Sequence, residues 1–261
     1  MTEFKGKGLP LDQAGLTEAS ALLGIEGSSL WSVIAVETYG VGFLPDRRPK
    51  ILFERHVFSR LTHHLYDESH PEVSNPSQGG YGPEGAHQYK RLNEAIGLDR
   101  QAALMSASWG LGQVMGFNHL SAGFQDVEEM VSCMMDSERA QLLAMMKFIK
   151  EEGLDSALRQ KNWRDFAEKY NGRDYAKNKY DEKLASFHEK YSKGNLPDLD
   201  VRAAQLYLVY LGYDPGPVDG VMGTLTLSAL NRFLESEGRQ SSGAITKEIL
   251  NFLSKRSGDA N

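Results

Sequence analysis

Along the first three quarters of the chain, apolar residues return every three or four positions, the spacing of helices that bury one face. Thr17, followed by Glu18 and an Ala/Leu-rich run, reads as the cap of a short helix, and Ser28 or Ser29 can cap the next. Residues from about 49 to 64 form another apolar-periodic segment, with Phe53, Val57 and Leu61 four apart. The texture changes from Ser69 to Gln88, a stretch rich in Gly, Pro, Ser and Asn that includes Gly79-Gly80-Tyr81-Gly82-Pro83. Such a stretch predicts a long loop or small irregular lobe, and loops of this length inside compact domains are usually functional or disordered. Helical patterns return at 89–106, 127–152 and 163–170. The polar segment 191–197, broken by Gly194 and Pro197, suits a linker. Beyond it, helical patterns at 202–211, 224–237 and 246–253 alternate with turn chemistry such as Gly212-Tyr213-Asp214-Pro215-Gly216. The expected fold class is therefore mainly α. A helical domain with a small irregular lobe spans 1–192, and a small three-helix domain spans 198–256.

One carboxylate violates the pattern. Glu37 falls seven residues after Leu30, four after Val33 and three after Ile34, on the apolar stripe of its helix, and Gly40 and Gly42 then break that helix. A carboxyl held against aliphatic side chains is poorly solvated, so its charged form is disfavoured and its pKa rises toward neutrality. That environment makes a general acid. The bland alternative is a helix-edge position open to solvent.

Two further segments share this character. Ser106-Ala107-Ser108-Trp109-Gly110-Leu111-Gly112-Gln113 packs small residues around one amide, with Gly110 and Gly112 allowing close backbone approach to a ligand. Lys169-Tyr170-Asn171-Gly172 ends a helix with an aromatic ring and another amide. An acid, amides for hydroxyl and acetamido groups, and aromatic rings for sugar faces suit an uncharged glycan. Taken singly, a Gly-rich turn and a helix end are equally good structural readings.

Composition narrows the class. The 261 residues, 41% hydrophobic and 25% charged, suffice for one large domain or two smaller ones. A net charge of −6 argues against a broad nucleic-acid surface and against attraction to anionic membranes. The single cysteine, Cys133, sits in an apolar run and reads as a buried structural thiol. No window approaches the apolar length of a membrane span, and the N-terminus shows no secretory pattern. His63, His64 and His70 lack metal-ligand spacing, so neither metal nor organic cofactor is expected. Glu54, beside Arg55 and His56, and Asp46 are the carboxylates nearest in sequence that could serve as a second acid–base group.

In this order the three segments resemble the lysozyme-like superfamily of muramidases and lytic transglycosylases: Glu37 as the acid, Gly110-Leu111-Gly112-Gln113 as the turn, Tyr170-Asn171-Gly172 as the closing segment. Pro49-Lys50-Ile51-Leu52-Phe53-Glu54-Arg55-His56 and Val114-Met115-Gly116-Phe117-Asn118 bring the resemblance closer to the N-acetylmuramidase domain of phage endolysins. Val201-Arg202-Ala203-Ala204-Gln205 and Val218-Asp219-Gly220 resemble a three-helix peptidoglycan-binding domain, although Leu234 and Ser242-Gly243 depart from its usual pattern. The resemblance implies a lysozyme-like helical catalytic domain. It implies cleavage of the β-1,4 bond between N-acetylmuramic acid and N-acetylglucosamine, with Glu37 as acid, Glu54 as possible second carboxylate, and Gln113, Tyr170, Asn171, Trp109 and Tyr39 holding saccharide. The partner is then a peptidoglycan glycan strand bound by a monomer, with the C-terminal module supplying wall affinity rather than chemistry. The protein would wait in the host cytoplasm, without stable membrane association, until a separate holin-like protein releases it. Two alternatives stay open: a lytic transglycosylase forming anhydro ends, and a non-catalytic wall-binding or virion structural protein.

Overall fold

The structure is a computed structural model and describes residues 3–38, 41–172 and 176–258. The chain begins with α1 (Gln13–Leu23) and α2 (Gly27–Thr38), followed by strand β1 (Ile51–Phe53) and α3 (Arg55–Leu61). After the irregular stretch come α4 (Ala86–Ile96), α5 (Arg100–Met105), the hairpin strands β2 (Ala107–Trp109) and β3 (Val114–Met115), α6 (Val127–Asp136) and α7 (Glu138–Glu151). The first domain closes with α8 (Asp155–Arg159), α9 (Trp163–Asn171) and α10 (Tyr180–Lys193). The C-terminal unit consists of α11 (Leu199–Tyr210), α12 (Thr224–Ser236) and α13 (Lys247–Ser257).

Local chemistry explains the element ends, and corrects several expectations. α1 is capped by Asp12, whose Oδ1 accepts the Gly15 amide at 2.6 Å, and it stops at Gly24 in the left-handed region (φ 65°). Thr17 is thus inside the helix, its hydroxyl donating to Gln13 O at 2.9 Å. Ser28 and Ser29 likewise lie in the first turn of α2 rather than before it. The periodic segment 49–64 divides: Ile51–Phe53 is a strand, and only Arg55–Leu61 is helical. The strand wins because its backbone finds antiparallel partners, Ile51 opposite Trp109 and Phe53 opposite Ala107, which local periodicity cannot register. β3 extends the sheet, with Ser108 opposite Met115. The expected linker is shorter than its composition indicated, because Tyr191, Ser192 and Lys193 complete α10, a helix packed along α2.

α2 runs through the middle of the larger core, with Leu30, Val33 and Ile34 sealed from solvent beside Trp109, Phe53 and Leu111. The irregular lobe holds its shape without regular pairing. Two buried side chains of α4 staple it: Gln88 donates to Tyr81 O (2.7 Å) and Pro83 O (2.9 Å), while Arg91 donates to Tyr81 O (2.9 Å) and Glu72 O (2.7 Å). Gln88 also accepts the Phe53 amide at 3.0 Å, fastening the lobe to β1.

The three-helix unit has its own core of Ala204, Leu208, Leu230, Phe233 and Leu253. It is docked on the larger domain through polar ties. Tyr210 donates to Gly8 O at 2.8 Å, and Arg47 reaches Lys7 O and Ser257 O, the latter at 2.5 Å. Between them Arg202 of α11 meets Glu138 of α7, both fully buried. Among the described residues no single helix is long and apolar enough to cross a membrane.

Candidate active site

Glu37 occupies the last turn of α2, directly beyond the sealed Val33 and Ile34. The helix delivers it to a junction with the end of α9, where Asn171 Nδ2 donates to Glu37 Oε1 at 3.1 Å. Burial raises the carboxyl from its ordinary 4.5 to about 7, and the Asn171 bond, which favours the ionised form, offsets only part of that rise. Asn171 Oδ1 is buried with no hydrogen-bond partner among the described residues, an acceptor left open at the acid's side.

Tyr170 provides the wall. Its ring stacks on Phe166 at 5.2 Å and meets the edge of Phe148 at 5.8 Å, so it is committed to the protein interior. Its hydroxyl donates to Gly112 O at 2.7 Å, tying α9 to the β2–β3 turn. Burial and the neighbouring Glu37 charge hold its phenol well above the ordinary range, so it stays a proton donor.

The turn itself is locked from within. Gly110 and Gln113 both adopt positive φ (67° and 49°), the glycine freely and the glutamine against its preference. Gln113 holds that conformation by donating to Gly110 O at 2.8 Å and accepting from Ser108 Oγ at 2.9 Å. Its amide therefore shapes the hairpin.

The sequence-predicted residues separate accordingly. Glu37 is hydrogen-bonded to Asn171, and the adjoining Tyr170 to the turn that Gln113 shapes, whereas Tyr39 lies outside the described residues. Trp109 is a correction: it is wholly buried and its indole N–H donates to Leu104 O at 3.1 Å, so it packs the core and cannot meet a saccharide. Glu54 heads a second cluster at the end of β1, with His56 Nδ1 3.1 Å from Oε2; burial raises its pKa against the lowering influence of His56, Tyr81 and Arg91. It plays no part in the shift of Glu37. Asp46 is exposed and paired with Arg48 at 2.7 Å; burial works to raise its pKa, but the Arg48 bonds and charge hold it low, which removes it as an acid. Cys133 is half-buried rather than buried.

Sequence reasoning missed two residues at the start of α7. Glu138 Oε1 accepts the amide of Gly42 at 2.9 Å, and Gln141 Oε1 accepts the amide of Leu111 at 2.8 Å. A side chain at Gly42 or Gly110 would collide with the Gln141 amide, so both glycines are required by close approach. The signal was available: Glu138 and Gln141 share a helix face with Leu142 and Met145, polar groups on an apolar stripe.

Comparison with known proteins gives the family. The N-acetylmuramidase family model matches residues 26–192, and the peptidoglycan binding domain model matches residues 197–253. Among solved structures, the Burkholderia AP3 phage endolysin is 39% identical, with a TM-score of 0.65 over 70% of this chain and 71% of that one. No curated protein matches the chain at a significant level. With a family match spanning more than half its length, the chain belongs to the N-acetylmuramidase family and carries a peptidoglycan binding domain behind its muramidase domain.

Proposed function

We propose that this protein is a phage endolysin that hydrolyses the β-1,4 bond between N-acetylmuramic acid and N-acetylglucosamine in bacterial peptidoglycan, with Glu37 as general acid. The observation that carries the reading is a carboxyl raised to about 7 by burial, at the end of a core helix and in hydrogen-bonding contact with Asn171. At pH 7 such a group holds its proton in about half of the molecules, where an ordinary carboxyl has lost it. It transfers that proton to the glycosidic oxygen as the C–O bond breaks and positive charge develops on the sugar ring. Water then adds its hydroxyl to the anomeric carbon, and the proton it releases restores the acid. Asn171 steadies the carboxyl, and its open Oδ1 suits an acetamido N–H of the bound sugar. Glu54 is the candidate second carboxylate, and Gln113 a candidate contact for the saccharide.

The C-terminal module holds the glycan strand. A separate holin-like protein releases the enzyme, as a monomer, from the host cytoplasm. The test is Glu37→Gln on purified sacculi, with released muropeptides weighed by mass spectrometry. Loss of a hundredfold or more in rate is expected, with wild-type products ending in reducing sugars. Activity above a tenth of wild type would refute the acid. Products one water lighter would mean a transglycosylase, and wall binding without any release would mean a non-catalytic protein.

A further inference from the structure

Glu138 and Arg202 form a fully buried ion pair across the two domains. The guanidinium meets the carboxylate as a fork: Nη1 donates to Oε2, and Nη2 donates to Oε1 at 2.9 Å. Each carboxylate oxygen accepts one further bond, and both come from backbone of the catalytic domain. Oε1 takes the Gly42 amide and Oε2 takes the Leu11 amide, each at 2.9 Å. Gly42 lies five residues beyond Glu37, in the segment leaving the acid's helix, and its carbonyl accepts the Lys50 amide at 2.8 Å ahead of β1. One turn along α7, Gln141 accepts the Leu111 amide and donates to Met134 O, each at 2.8 Å. Leu111 adjoins Gly112, whose carbonyl receives Tyr170, and Tyr170 adjoins Asn171 on the acid. The first turn of α7 thus holds the backbone both after Glu37 and in the β2–β3 turn, and its carboxylate is neutralised from the wall-binding module. Lys50 stands near enough to feel both charges, though burial, the stronger influence, lowers its own pKa.

We infer that Arg202 of the C-terminal module is a positioning residue for the catalytic cleft, acting through Glu138 on the segment that follows Glu37. A carboxylate with four acceptor sites and no countercharge is not stable in a dry interior. Without the guanidinium, Glu138 loses both donors of the fork and turns toward water or the nearby Lys50, and either change loosens its hold on the Gly42 amide. The α2 end then loses its fixed relation to the Gly110–Gln113 turn, and small misplacements of reacting groups are expensive in rate. The module is on this view part of the catalytic domain's scaffold, beyond the affinity role expected from its sequence. The inference rests on the reading of Glu37 as the acid.

The test uses full-length protein and soluble, uncrosslinked glycan chains, so that wall affinity does not enter the rate. Arg202→Met should lower kcat about tenfold or more while KM stays within about twofold, because the saccharide contacts are intact. Arg202→Lys, which keeps the charge but not the fork, should recover part of kcat. The double variant Glu138→Met/Arg202→Met separates positioning from stability: an apolar pair relieves the buried charge and should restore the thermal midpoint, yet it offers no acceptor to Gly42, so kcat should stay low. A double variant with both midpoint and kcat restored would overturn the inference, as would Arg202→Met with wild-type kcat. If Arg202→Met does not fold, Arg202→Lys decides by the same criterion, an unchanged kcat counting against. Failure of the Glu37 assignment is read separately, from an active Glu37→Gln.

Discussion

Glu37→Gln should make the folded protein more stable in alkaline solution than in acid, relative to the parent. In the unfolded chain Glu37 titrates near 4.5, whereas in the fold burial raises it to about 7. Between those values the folded state keeps a proton that the unfolded state has lost, so the stability contributed by Glu37 is full below about 4.5 and is lost as pH rises through about 7. The interval corresponds to about 3 kcal/mol once both states are ionised. Glutamine never ionises and keeps an oxygen to accept Asn171 Nδ2, so it escapes this penalty while preserving shape. The difference in unfolding free energy between variant and parent should be small at pH 5 and approach about 3 kcal/mol at pH 8, on the order of 5 °C or more in Tm. Denaturant titration and calorimetry of both proteins across that range measure it directly, and taking the difference cancels every other titrating group. A difference that stays flat from pH 5 to pH 8 would mean that Glu37 is solvated in the fold, and the argument for a protonated acid at neutral pH would fail.

Three further outcomes are expected. Asn171→Ala removes the bond that favours the ionised carboxyl; the alkaline limb of the kcat/KM profile should move to higher pH, and a limb shifted downward would contradict the assigned sign. Trp109→Phe should lower the thermal midpoint, because Leu104 O loses its donor at a cost of about 1 to 3 kcal/mol, while KM on soluble glycan stays unchanged; a raised KM would return Trp109 to the substrate surface. Glu54→Gln should lower kcat if the carboxyl supports the reaction, whereas unchanged turnover with reduced stability would assign it to the His56 cluster alone.

How much of this was legible depends on the range of the interactions. Glu37 could be read because a charge on an apolar stripe is a local contradiction, visible within eight residues. The same contradiction marks Glu138, three residues before Gln141, four before Leu142 and seven before Met145, yet an acidic residue just after the N-cap Ser137 passes for ordinary helix-start chemistry. Arg202 passes likewise for a surface residue of a small helical module. What resolves both is their mutual contact across 64 positions of sequence, which no window contains. The four-residue spacing of Phe53, Val57 and Leu61 misled for a related reason: it straddles a strand and a helix, and the strand exists because of partners 54 to 58 positions away. Trp109 shows a further limit, since an aromatic ring among glycines reads alike whether it faces solvent or core.

The stapled lobe has a consequence for how the protein can change. Arg91 and Gln88 hold it by reaching the main chain at Glu72, Tyr81 and Pro83. A carbonyl is the one group that every amino acid supplies, so this mode of attachment is blind to the side chains it fastens. Exposed positions such as 72 and 83 can therefore exchange residues while the lobe keeps its shape. The burden of invariance falls on two residues of the neighbouring helix and on the lobe's own buried Val73 and Ser74. A library randomised at the exposed positions 72 and 83 should yield mostly folded proteins, and one randomised at Gln88 and Arg91 should not.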